Sequence, residues 1–117
     1  MSVFEAIDRW PVQFGTSESD FVFSVAVDDA GVIYVVGDTD GSLGGPSVGS
    51  VDGFVRALDR EGRELWTRQF GTSEYFVDGV AVDDAGVIYL AGKTDGSLSG
   101  QNAGYIDGFV QRIIPSD

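Results

Sequence analysis

Apolar and polar positions alternate along Ser24-Val25-Ala26-Val27-Asp28. Val25 and Val27 point one way and Ser24, Ala26 and Asp28 the other, the two-residue period of a strand that ends in an Asp-Asp-Ala-Gly turn. Beyond the turn, Val32-Ile33-Tyr34-Val35-Val36 is apolar at every position, which predicts a strand covered on both faces, and Gly37 closes it. A Gly/Ser-rich loop through Gly49 and Ser50 leads to a third strand, Phe54-Val55-Arg56-Ala57-Leu58. Asp59-Arg60-Glu61-Gly62 then forms a hairpin turn with Gly where positive φ is needed. The fourth strand, Glu64-Leu65-Trp66-Thr67-Arg68-Gln69-Phe70, sets Trp66 and Phe70 on one face. No window long enough for a helix escapes a Gly or a turn cluster, so the chain is all-β.

The same pattern comes round twice. The ten residues from Val25 to Tyr34 return letter for letter from Val80 to Tyr89, an offset of 55 positions. At that offset Thr39-Asp40-Gly41-Ser42-Leu43 recurs from Thr94 to Leu98, and Asp52-Gly53-Phe54-Val55 from Asp107 to Val110. Upstream, Gln13-Phe14-Gly15-Thr16-Ser17-Glu18 recurs from Gln69 to Glu74 at 56 positions, so one residue is lost between Glu74 and Val80. Four short antiparallel strands per copy, with aromatic and Gly motifs at fixed places, is the pattern of a propeller blade. A β-sandwich also accommodates eight strands. It has no need of two near-identical halves in which the second strand is apolar on both faces.

Strand order adds a consequence. Trp10-Pro11-Val12-Gln13-Phe14-Gly15 aligns with Trp66-Thr67-Arg68-Gln69-Phe70-Gly71, so each copy begins with its outer strand and ends on its third. The chain divides accordingly into an extension at 1–9, an outer strand plus the first three blade strands at 10–62, and the same again at 63–117. Phe4-Glu5-Ala6-Ile7-Asp8-Arg9 echoes the stretch from Phe54 to Arg60, so 1–9 reads either as a frayed extension or as a worn third strand. The last strand, from Phe109 to Ile114, lacks an outer partner, and the strand from Trp10 lacks a preceding third strand. One can supply the other across a joint between chains, and Pro11 suits that edge position.

Two blades alone leave an apolar face at each end, and the near identity of the copies makes neither a polar cap. A head-to-tail contact repeated by rotation closes into a ring. The expectation is therefore a cyclic homo-oligomer, a homotrimer with six blades or a homotetramer with eight, in which several chains complete one propeller. The bulky Phe21, Phe23, Tyr75 and Phe76 slightly favour the wider ring.

Composition limits the chemistry. The chain has 117 residues, one domain's worth, with 7 Lys and Arg against 19 Asp and Glu, a net charge of -12, and neither His nor Cys. That removes imidazole bases, thiol nucleophiles, Ser-His-Asp triads and His/Cys zinc sites, and no catalytic residue is identified. The negative charge disfavours nucleic acid and anionic membranes as partners. The longest apolar run is too short to span a bilayer, and Met1-Ser2-Val3-Phe4-Glu5 lacks the basic and apolar regions of a signal peptide. A ring carries three or four times the -12 of one chain, so salt should aid assembly by screening repulsion.

A few motifs admit two readings. Asp38-Thr39-Asp40-Gly41-Ser42 has the alternating oxygens and Gly of a calcium loop, with Asp38 and Asp40 as candidate ligands and Ca2+ as the candidate ion. Lys93 stands at the place of Asp38 in the second copy, and the favoured reading is a turn whose carboxylates bond local amides. The pairs Asp28-Asp29 and Asp83-Asp84 could be an acid and a base, but both lie in the same tight turn, which favours a structural role. Asp52 and Asp107, each preceding Gly-Phe, read as backbone anchors. Trp10 and Trp66 could stack on a sugar; their alternation with Val12 and Phe14, or Arg68 and Phe70, favours buried packing. Gly44-Gly45 lacks the Lys and helix of a phosphate cradle.

The ordered series Trp66-Thr67-Arg68-Gln69-Phe70-Gly71-Thr72, Val80-Ala81-Val82-Asp83, Gly86, Tyr89, Gly92, Thr94-Asp95-Gly96-Ser97-Leu98 and Asp107-Gly108-Phe109-Val110 resembles the SBBP repeat, the β-propeller repeat of bacterial, often secreted or surface-associated proteins. The resemblance runs from about Trp10 to Ile113. It departs where the family favours Asn after the turn glycine and this chain has Val32 and Val87. It implies a propeller fold and a secreted or bacterial surface location, and not a chemistry. The seven blades associated with the family cannot be made from whole pairs. Two tidy repeats without a signal segment suggest a fragment, excised or engineered from a longer array. The functional expectation is a non-enzymatic, self-assembling scaffold. The alternative is a calcium- or carbohydrate-binding, even hydrolytic, propeller whose carboxylates converge on the central channel.

Overall fold

Asp28 shows how the local sequence bends the chain. Its Oδ1 accepts the backbone N–H groups of Ala30 and Val32, both at 2.9 Å, and its Oδ2 accepts the Tyr34 hydroxyl at 2.9 Å. Gly31 supplies the left-handed residue, with φ of 87°. Asp83 repeats the device on Ala85, Val87 and Tyr89 at 2.9, 3.0 and 3.1 Å, with Gly86 at 82°. Asp59 does the same for the third turn, accepting from Glu61 and Arg63, with Gly62 at 89°. The first carboxylate of each pair, Asp28 and Asp83, is thus a turn former.

The computed structural model describes residues 10–45, 51–71, 75–96 and 105–115, and contains strands and no helix among them. The first sheet runs in chain order through β1 (Asp20–Val27), β2 (Ile33–Thr39), β3 (Asp52–Leu58) and β4 (Glu64–Phe70). The second runs through β5 (Tyr75–Val82), β6 (Ile88–Thr94) and β7 (Asp107–Ile113). Every pairing is antiparallel. β1 and β5 each carry an irregularity at the same place, between Val22 and Ser24 and between Val77 and Gly79. Beside it a Cβ on Gly37 would run into the Phe21 carbonyl, and one on Gly92 into the Phe76 carbonyl, so both copies need glycine there.

The two sheets stack through β5, which lies against β1, β2 and β3. Between them Tyr34, Val36, Val55 and Ala57 of the first sheet meet Tyr75, Val77, Ile88, Leu90 and Ile113 of the second. Each buried Val, Leu or Ile among them contributes about 1.5–3 kcal/mol. β2 is buried from Tyr34 through Thr39: the apolar run is covered at Tyr34, Val35 and Val36, as expected, and the strand continues past Gly37, where it was expected to close, through the buried Asp38 and Thr39. This is the all-β arrangement of propeller repeat blades.

The boundary at 62/63 follows the sequence repeat rather than the sheets: β4 pairs with β3 and completes the first sheet, as the turn at Asp59–Gly62 implies, and the second sheet has three strands among the described residues. Sequence repeats run outer strand first; sheets run inner strand first. One expectation changes: residues 10–14, read as an outer strand, form no strand in the single chain and lie instead beside Asp20, Phe21, Val22 and Phe54. The reading of 1–9 as a worn strand lies outside the described residues.

Candidate functional site

Positions one repeat apart carry the same residue and meet different surroundings. Val55 in β3 is 0 % exposed at the blade junction, while Val110 in β7 is 76 % exposed on the far side of the second blade. Tyr34 and Val36 are buried, and their counterparts Tyr89 and Ala91 are partly or largely open. The relation reverses for the other face. Val80 and Val82 pack against the core, while Val25 and Val27 are 58 % and 59 % exposed on the far side of the first blade. At these positions the open face of each blade repeats the packed face of the other; elsewhere it departs, since Ala57 and Tyr75 of the junction answer to Arg112 and Asp20, and Leu90 and Ile113 to Val35 and Leu58, which are buried.

Gly53 lies at the junction between the two sheets, and Gly108 is its counterpart in β7. A Cβ on Gly53 would lie 2.5 Å from the Val77 methyl and 2.9 Å from the Tyr75 phenol, so glycine lets β5 settle on the first sheet. At Gly108 a Cβ would meet nothing nearer than the Gly92 carbonyl at 3.8 Å.

The outer edges differ as well. β4 closes the first sheet, and Gln69 locks it to the loop after β2. Its side-chain oxygen accepts the Leu43 and Gly44 amides at 2.8 and 3.0 Å; its nitrogen donates to the Gly41 carbonyl and the Asp52 carboxylate at 2.8 and 2.9 Å. The outer edge of β7 has no strand beside it among the described residues. Near its end lies a groove of about 290 Å³ lined by Trp66, Arg68, Ile113, Ile114 and Pro115. Residues 10–14 lie on the opposite side of the first sheet. There Phe14 meets Phe54 edge-on at 5.8 Å, and the Arg56 guanidinium sits 4.2 Å above the Phe14 ring.

The residues named as candidate calcium ligands are placed differently from one another. Asp38 is buried and its Oδ1 accepts the Val77 N–H at 3.0 Å, tying β2 to the next blade. Burial pushes its carboxyl up to about 6, with the Asp78 charge adding and the Val77 N–H and Lys93 opposing. Asp40 is exposed, and its own N–H donates to the Ser19 carbonyl. Among the described residues no group of three or more metal-capable side chains comes together. Lys93, at the place of Asp38, reaches Asp78 at 3.4 Å and lies 5.2 Å from the centre of the Phe76 ring. Trp66 packs on Tyr34 at 6.1 Å, whereas Trp10 is 38 % exposed. The sequence reading passed over Gln69 and Gly53; their recurrence as Gln13 and Gly108 was the available signal.

A family model described as SBBP, beta-propeller repeat, matches residues 10–45 and 65–99. No curated protein matches the chain.

Proposed function

The chain belongs to the SBBP β-propeller repeat family, and from that premise we propose that it is a self-assembling propeller module whose copies join head to tail into a closed ring that acts as a scaffold. The exchange of burial between several equivalent positions supports the reading: Val55 of the internal junction recurs as exposed Val110, and Val77, Val80 and Val82 recur as exposed Val22, Val25 and Val27. An apolar face of this kind favours association, and a complementary face of the same chain is a ready partner. Three copies give six blades and four give eight.

Light scattering and native mass spectrometry of the whole chain test it. A trimer or tetramer is expected, more fully assembled at about 0.15 M ionic strength than at about 0.01 M, because the net charge of -12 per chain repels at low salt. A folded monomer at all salt concentrations would overturn the ring.

A further inference from the structure

We propose that residues 10–14 are the outer strand of the neighbouring chain's second blade, and that Gln13 is the residue that fixes them there. The proposal rests on the ring reading and adds to it a register and a polar key. Three observations support it.

First, residues 10–14 already sit where an outer strand of a preceding blade belongs. Phe70, the counterpart of Phe14, reaches Phe109 of the next blade through Tyr75, at 5.9 and 4.6 Å; Phe14 meets Phe54, the counterpart of Phe109, directly at 5.8 Å, with Asp20 at the place of Tyr75. Second, the edge that needs a strand is out of reach within one chain. The groove beside β7 opens against the Trp66 side of the first sheet, and Phe14 packs on the Phe54 side. The occupant is therefore a second copy.

Third, the polar partners repeat. In the complete blade, β4 runs antiparallel to β3 with Gln69 opposite Phe54 and Arg68 opposite Val55, and Gln69 donates to Asp52 and the Gly41 carbonyl. Carried one repeat on, Gln13 stands opposite Phe109 and Val12 opposite Val110 of the neighbour. The Gln13 amide then donates to the neighbour's Asp107 and Gly96 carbonyl. Gln13 is exposed in the single chain. An amide reading a carboxylate and a carbonyl together discriminates register, because a slip by one residue turns its side chain to the other face.

The test uses the full chain, which has no native cysteine. The double variant Val12→Cys/Val110→Cys, treated with a thiol cross-linker about one strand spacing (~5 Å) long, should give covalent trimers or tetramers on a denaturing gel and no internally bridged monomer. Separately, Gln13→Ala should raise the dissociation constant of the joint by about ten-fold or more while leaving the unfolding of dilute single chains unchanged. Gln69→Ala is the contrasting case and should lower single-chain stability. An oligomer of normal size that neither cross-links nor loosens with Gln13→Ala would overturn this inference and leave the ring standing. A monomeric wild type would overturn both.

Discussion

Val55 and Val110 are the same residue in the same strand of the same repeat, yet one is fully buried and the other three-quarters exposed. Gly37 and Gly92, by contrast, are equally constrained: each has a carbonyl of the adjoining inner strand where its Cβ would be. The two pairs separate what a blade does by itself from what it does to a neighbour. Features inside a blade, such as the Asp turns and the irregularity in the inner strand, come out alike in both copies. Features between blades come out once, because this chain contains one junction. On the ring reading proposed above, the equivalent surface of the second blade would be a junction with half its atoms supplied.

The sharpest way to break this comparison is to add one methyl group at matched sites. Gly53→Ala puts a Cβ 2.5 Å from a core methyl that has no room to retreat, and should cost about 2–3 kcal/mol in single-chain unfolding. Gly108→Ala meets only open space in the chain, so its thermal midpoint should match wild type under dissociating conditions. Across a joint the same methyl would face the neighbour's Val22, the counterpart of Val77, and assembly measured by light scattering should weaken about a hundred-fold. If both variants destabilise the single chain equally, the second face is not an unfilled junction.

A smaller contrast lies within the blades. Asp28→Ala and Asp83→Ala each remove the acceptor for two amides and a tyrosine hydroxyl. Asp28→Ala should destabilise by about 1–3 kcal/mol in denaturant unfolding and Asp83→Ala by less, since Tyr34 is buried while Tyr89 is only partly so, and a buried hydroxyl left without its acceptor is the costlier loss. Equal losses would mean that the junction adds nothing to the turn.

Much of this was legible before any coordinates. The turns at Asp28, Asp59 and Asp83 follow from Asp followed three residues later by Gly, a local signal that the fold has no reason to override. The buried run of β2 was equally clear, because five consecutive apolar residues demand cover on both faces. The pairing of β4 with β3 was legible too, because the turn at Asp59–Gly62 joins them, although the repeat register and the blade register differ by one strand. Residues 10–14 look like a strand because their sequence matches β4, but a strand exists only beside an edge, and the matching edge is not within reach of the same chain. The role of Asp38 was hidden for a related reason. Its neighbours in sequence suggest a turn or an ion, whereas its bond goes to Val77, a distant residue brought close only by stacking the blades.

Asp38 and Lys93 give the finest comparison, a junction residue against its exposed counterpart. Asp38 is pushed from 3.8 to about 6 by burial, so the folded chain binds a proton more readily than the unfolded one between those values. Its contribution to stability is therefore fullest below about pH 4 and is lost as pH rises through 6. Asp20 and the exposed turn carboxyls Asp59 and Asp83 are held low and act in the opposite sense below pH 4, which places the optimum for the single chain on the acid side of neutrality. Asp38→Asn keeps an oxygen for the Val77 N–H and removes the charge. It should raise stability at pH 7 by about 1–2 kcal/mol, have little effect at pH 4, and flatten the profile between. Lys93→Ala, which removes a surface ion pair, should change stability by about 0.5 kcal/mol or less at either pH. Thermal unfolding of dilute chains at the two pH values measures both. An Asn variant whose gain is the same at pH 4 and pH 7 would mean that Asp38 titrates as an ordinary surface carboxylate, and that the junction does not shelter it from water.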